Sequence, residues 1–217
     1  MRNYWCFALA LAAGVCSSHA QLTWETKEIK LKAAPFAEYV DASFKFTNTG
    51  PAAIVIKEVK TSCGCTTAEL AKKEYAPGEF GEIKAKFNAG GRKGTQSKSI
   101  HVTTDVEKDP ITTLMLTTEI PDVVRIEPSA IVWSLNSPAT PKSIKISIGI
   151  DEPVKVTEVT TISDKFKTEL VTISEGKQYE VKVTPTATDA GSKAVFQIKI
   201  DKPADKPRMF TAVAYVR

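Results

Sequence analysis

The chain has 217 residues, of which 42% are hydrophobic and 25% charged, with a formal net charge of +4 and two histidines. These values exclude collagen-like, disordered and multi-span membrane chains, and they fall short of the concentrated basic footprint of a nucleic-acid binder. Chemistry that leans on imidazole is short of material from the outset, and no cofactor is expected.

Residues 1–20 read as a signal peptide. Arg2 gives a small positive start, and an apolar run follows from Tyr4 to Cys16. Ser18-His19-Ala20 then places small residues at −3 and −1 of a cleavage site before Gln21. The run is shorter than the roughly 20 apolar residues that span a bilayer. Lipid attachment at Cys16 is disfavoured by Val15, where a small residue is wanted. Cleavage removes Cys6, Cys16 and His19 and leaves Cys63, Cys65 and His101. The expected product is exported to the periplasm or outside the cell and does not span the membrane. Disulfides are permitted there.

From residue 21 the chain alternates with period two. Val40, Ala42, Phe44 and Phe46 share one face, and Ile83, Ala85 and Phe87 another. Ile144, Ile146, Ile148 and Ile150 follow, then Tyr179, Val181 and Val183, then Phe196, Ile198 and Ile200. Such runs fit strands with one face on a core and one in water. Asn48-Thr49-Gly50-Pro51, Pro77-Gly78, Gly90-Gly91 and Asp189-Ala190-Gly191 supply turns between them. One short helix is expected over residues 67–75.

The chain also repeats itself. Glu58-Val59-Lys60-Thr61 and Glu69-Leu70 recur at an offset of 100 as Glu158-Val159-Thr160-Thr161 and Glu169-Leu170. Phe44 and Phe46 match Ile144 and Ile146. Val102 to Asp105 matches Ile198 to Asp201, and Leu22-Thr23-Trp24 is paired with Ile131-Val132-Trp133 as the opening strand of each half. Several matches in one order favour duplication. The expected fold is all-β: two tandem immunoglobulin-like β-sandwiches, residues 21–120 and 121–217, after a cleaved signal peptide.

Ser62-Cys63-Gly64-Cys65-Thr66 aligns with Ile162-Ser163-Asp164-Lys165-Phe166. If the halves are duplicates, the fold does not require the thiols, and Cys63, Gly64 and Cys65 become the leading binding or redox residues. Four chemistries are open. A local disulfide fits if Gly64 lets the backbone turn tightly, and it would constrain little unfolded-chain entropy. Thiol–disulfide exchange is the second, with Lys57 and Lys60 nearby in sequence. Two thiolates suit a soft ion such as Cu(I); zinc wants four ligands. An interchain disulfide is the fourth.

Other features read as structural. His101 is expected to face outward from a strand whose Ile100 and Val102 face in. Ser99, His101 and Asp105 form a triad only on paper, because neighbours on one strand do not converge. Gly90-Gly91-Arg92-Lys93-Gly94 is expected to be a hairpin loop, since no phosphate-loop helix follows. Trp24 and Trp133 are expected in the core.

Residues 44–88 carry Phe44-Lys45-Phe46-Thr47-Asn48-Thr49-Gly50, then Ser62-Cys63-Gly64-Cys65-Thr66, Pro77-Gly78-Glu79, Gly81 and Phe87. With Gly94 and the strand from Ile100 to Asp105, this pattern resembles the bacterial exported family DUF1573 over about residues 25–119. The resemblance implies an immunoglobulin-like sandwich of the sperm-protein and cilia-associated type, export, and no established enzymatic activity. Non-catalytic binding or scaffolding in the bacterial envelope is the expected role, with an envelope protein or polymer as partner. The alternative is a periplasmic thiol-redox or copper-handling protein using Cys63 and Cys65.

Overall fold

A computed structural model describes residues 21–106 and 110–217. The expected signal peptide, residues 1–20, lies outside the described residues.

The described residues form seventeen strands. The first nine are β1 Leu22–Trp24, β2 Glu28–Lys32, β3 Tyr39–Asn48, β4 Ile54–Thr61, β5 Thr66–Leu70, β6 Glu74–Tyr75, β7 Phe80–Asn88, β8 Gly94–Thr104 and β9 Ile111–Ile120. The rest are β10 Val124–Glu127, β11 Ala130–Trp133, β12 Lys142–Ile148, β13 Val156–Thr160, β14 Phe166–Ser174, β15 Gln178–Pro185, β16 Ser192–Ile200 and β17 Met209–Val216. Among the described residues there is no helix long and apolar enough to cross a membrane.

The strands form four sheets, ordered β1-β3-β7-β5, β2-β9-β8-β4-β6, β10-β12-β15-β14 and β11-β17-β16-β13. The first two sheets use only residues 22–120, the other two only residues 124–216. In immunoglobulin lettering the first and third are ABED sheets. The second and fourth are A′GFC sheets, the second with β6 added at its edge. β11 runs parallel to β17, as an A′ strand does beside G. The described residues form two compact units: 21–28 with Ala42–Ala85, 99–106 and 110–115, and Ile29–Asp41 with Lys86–Lys98 and Leu116–Arg217.

Alternation places the apolar side chains as expected. Phe44, Phe46, Ile54, Ile56, Ile83 and Phe87 are buried in the first half, and Ile144, Ile146, Val181, Val183, Phe196 and Ile198 in the second. Each contributes about 1.5–3 kcal/mol relative to exposure. Trp24 and Trp133 are buried too. Trp24 lies 4.9 Å from the ring of Phe46, which meets Tyr75 edge-on at 4.8 Å. Gly81 makes this close approach of β7 possible, since a Cβ there would fall 2.2–2.6 Å from the rings of Phe46 and Tyr75.

The duplication extends to register. β4 and β8 slip between Ile56 and Glu58, and β13 and β16 slip between Val156 and Glu158, the same β-bulge 100 residues on. Beside each bulge an aspartate closes the pair: Asp105 accepts the Val55 N–H and Asp201 accepts the Lys155 N–H, both at 2.9 Å.

Three expectations are corrected. Residues 67–75 are not helical; they belong to β5, a turn and β6, because Thr66, Ala68 and Leu70 alternate inward with period two. The glycine-rich segment 90–94 is not a hairpin. It crosses from the sheet of β7 to that of β8, and Gly91 and Gly94 take the positive φ that this crossing uses. The two tryptophan strands are not equivalents. Trp24 faces Phe46 across β1 and β3, a place taken by Ile126 and Ile146 in the second half, whereas Trp133 sits on the A′ strand.

Candidate functional site

Strand β4 ends at Thr61 and β5 begins at Thr66, so Ser62–Cys65 bridges the two sheets of the first half. The anchors are firm. Ser62 N–H donates to the Ser99 carbonyl at 2.9 Å, and Ser99 N–H donates to Ser62 Oγ at 3.2 Å. Thr66 is buried, with 3% of its surface exposed. Between these anchors Ser62 and Gly64 are exposed, and Cys63 and Cys65 are half-buried.

Cys63 and Cys65 form a disulfide, with Cα atoms 5.2 Å apart. The first residue is held more tightly than the second. The Cys63 carbonyl accepts the Thr61 hydroxyl at 3.1 Å and the Thr66 N–H at 3.4 Å. Its sulfur lies 3.8 Å from Thr66 Oγ1.

Gly64 is not explained by the turn. Its φ lies outside the left-handed region, and a Cβ built on it meets nothing within 4 Å. The expectation that glycine is needed there for a tight turn is therefore corrected. A side chain at Gly64 would meet nothing within 4 Å beyond its two cysteine neighbours.

The second half builds the corresponding crossing, between β13 and β14, without cysteine. Thr161 Oγ1 accepts the Ser163 N–H at 3.2 Å, and Ser163 Oγ accepts the Lys165 N–H at 3.4 Å. That last bond joins the positions aligned with Cys63 and Cys65. Phe166 replaces Thr66 as the buried anchor, its ring 6.0 Å from Trp133 and 6.3 Å from Phe196. Ile162, aligned with Ser62, is fully exposed.

The remaining residues singled out in the sequence do not gather at this loop. His101 is half-exposed on β8 between buried Ile100 and Val102. Its Nε2 lies 3.3 Å from Ser99 Oγ and its Nδ1 3.1 Å from Thr113 Oγ1. A serine and a histidine do meet, but Asp105 is engaged at the bulge with Val55, so no carboxylate orients the imidazole. Among the described residues no three His, Cys, Asp or Glu side chains come together as metal ligands. With both sulfurs in the disulfide, a soft ion would need the reduced pair.

The Asn48 and Pro77-Gly78-Glu79 elements are accounted for by the fold. Asn48 is fully buried; its amide donates to the carbonyls of Ala52 at 2.8 Å and Tyr75 at 2.9 Å, and its Oδ1 accepts the Gly50 N–H at 3.0 Å. Gly78, at φ 77°, returns its N–H to the Asn48 carbonyl at 2.7 Å. Glu79 accepts the Ala76 N–H at 2.9 Å and pairs with Lys72. The Lys72 hydrogen bond, helped by that N–H, holds the Glu79 carboxyl below its usual range.

Sequence reading missed one concavity, a hollow of about 420 Å³ lined by Tyr75, Phe80, Gly81, Lys45, Lys72 and Glu82. Phe80 is 70% exposed at its rim. The signal was available: Phe80 has the opposite parity to Ile83, Ala85 and Phe87.

Residues 22–120 match the family described as "Protein of unknown function (DUF1573)". No curated protein matches the sequence. Three solved structures illustrate the similarity in fold. A protein of unknown function from Porphyromonas gingivalis W83 is 11% identical, with a TM-score of 0.34 over 89% of this chain and 98% of its own. The CupB2 chaperone of Pseudomonas aeruginosa is 8% identical, with a TM-score of 0.37 over 88% and 99%. The VesB protease of Vibrio cholerae is 15% identical, with a TM-score of 0.40 over 46% of this chain; the match spans 32% of the protease. At these identities and scores the likenesses say nothing about activity.

Proposed function

With residues 22–120 a domain of the DUF1573 family of unknown function, we propose that this chain is an exported, non-catalytic binding protein of the bacterial envelope that presents the Ser62–Cys65 loop to its partner. The observation that carries this reading is the contrast between the two crossings. The same fold closes the second crossing with hydroxyl groups alone, so Cys63, Gly64 and Cys65 answer to something other than folding. The loop joins two sheets between a hydrogen-bonded Ser62 and a buried Thr66, which suits a contact held in fixed position.

The reading includes three further elements. Residues 1–20 direct export and are removed before Gln21. Residues 21–120 and 121–217 fold as separate immunoglobulin-like domains. The partner is an envelope protein or polymer rather than a nucleic acid. A second reading, a thiol-redox or copper-handling role for the same two cysteines, is favoured by their partial exposure on the loop.

Capture from the protein's own envelope extract, with free thiols alkylated beforehand, tests the proposal. The wild-type protein should retain a discrete partner, and a bulky Gly64→Trp variant should lose it with its unfolding curve unchanged. Equal capture by both would remove the loop from the contact. Copper handling predicts instead that the reduced protein binds one Cu(I) against a competing chelator and that C63S/C65S does not.

A further inference from the structure

We propose that the Cys63–Cys65 disulfide accepts a thiol-bearing polypeptide by thiol–disulfide exchange, with attack on Cys65 Sγ and departure of Cys63 as the thiolate. This deepens the reading of the loop as the contact by naming the bond made there and the partner's reactive group.

Three observations converge. The disulfide is half-exposed and replaceable, since a Ser163–Lys165 hydrogen bond closes the matching crossing. Opening it therefore leaves the loop's anchors in place. Gly64, exposed between the two half-buried cysteines, adds no side chain to the surface of the loop. The two sulfurs are also unlike each other. Cys63 is fixed through its carbonyl by Thr61 and Thr66, and Thr66 Oγ1 stands beside its sulfur at 3.8 Å. Among the described residues Cys65 has no side-chain hydrogen bond.

Exchange proceeds by attack of a thiolate on one sulfur, and it is faster when the sulfur expelled is the better thiolate. The Thr66 hydroxyl can turn its proton toward Cys63 Sγ as negative charge develops there, a charge-assisted hydrogen bond from a buried donor. The step balances. The partner thiolate forms a sulfur–sulfur bond to Cys65, the Cys63–Cys65 bond breaks, and its electron pair stays on Cys63. No external oxidant is needed, because the disulfide itself is the oxidised reactant. The tethered Cys63 thiolate can then attack Cys65 and release the partner unchanged, so capture is reversible.

The oxidised full-length protein, treated with glutathione, quenched by alkylation and mapped by peptide mass, reads the site directly. The glutathione adduct should sit on Cys65 with the alkyl group on Cys63. In C63S, where the returning thiolate is absent, an adduct made on Cys65 with an activated glutathione disulfide should persist. Thr66→Val should slow opening of the wild-type disulfide severalfold, since a leaving thiol of higher pKa departs more slowly. An adduct on Cys63, or equal rates in Thr66→Val and wild type, would overturn the assignment. Adducts on Cys65 with capture from extract unaffected by Gly64→Trp would sustain the exchange and sink the binding reading. Capture sensitive to Gly64→Trp, with no glutathione adduct on Cys65, would do the reverse.

Discussion

Two crossings between sheets, one in each half, solve the same geometric problem with different chemistry. In the second, Thr161 and Ser163 turn their hydroxyls onto backbone N–H groups and Phe166 plugs the core beneath. In the first, a disulfide spans the matching positions over a buried threonine. The second arrangement is the ordinary one for a turn, with local side-chain acceptors satisfying the backbone. The first contains more covalent chemistry than the turn needs, and it is placed where solvent reaches it. At these two crossings the buried residue beneath the loop is therefore expected to matter more to stability than the loop residues themselves.

The largest break in that comparison is expected at the anchors. Phe166→Ala removes a ring packed near Trp133 and Phe196 and should cost about 3–5 kcal/mol by denaturant unfolding. Thr66→Val, which removes a hydroxyl lying 3.8 Å from Cys63 Sγ, should cost about 0.5–1.5 kcal/mol, the net worth of one hydrogen bond. Equal costs would mean that the two crossings load the core alike.

Next is Asn48, the buried amide that ties the turn after β3 to Tyr75. Asn48→Ala strands two carbonyls and one N–H and should cost about 2–4 kcal/mol. A loss of a few tenths would show that water replaces the amide.

Acid should act on the Pro77–Glu79 corner. The Glu79 carboxyl lies below its usual value of 4.5 in the folded chain, chiefly through Lys72. Its contribution is thus present above that value and lost as pH falls through the lowered folded one. Glu79→Gln should lower stability slightly across the neutral region, flatten the acid limb below about pH 4.5, and converge on the wild type in strong acid. A variant with the same acid limb as the wild type would remove Glu79 from the account.

Much of this was legible in the residues. Alternation located the core of both halves, because a sheet with one wet face imposes period two on its side chains. The repeat at 100 residues anticipated the shared bulges at Ile56/Glu58 and Val156/Glu158, which no local pattern announces. Pairing Trp24 with Trp133 failed because side-chain likeness was matched without strand partners, and those partners decide equivalence. Residues 90–94 were misread because glycine marks a turn without saying whether the next strand returns to the same sheet. A local Cys63–Cys65 disulfide was legible as one of four alternatives, but the asymmetry of the pair was not. The Thr66 hydroxyl beside one sulfur and the open space at Gly64 are facts of three dimensions.

The smallest expected effect is the most telling. The double variant C63S/C65S, unfolded by urea beside the oxidised wild type, measures what the disulfide does for the fold. A three-residue ring removes little freedom from the unfolded chain, so the variant should lose no more than about 1.5 kcal/mol, with an unchanged denaturant slope. A loss of about 3 kcal/mol or more would make the pair a structural staple and contradict the claim that this loop exists to meet a partner.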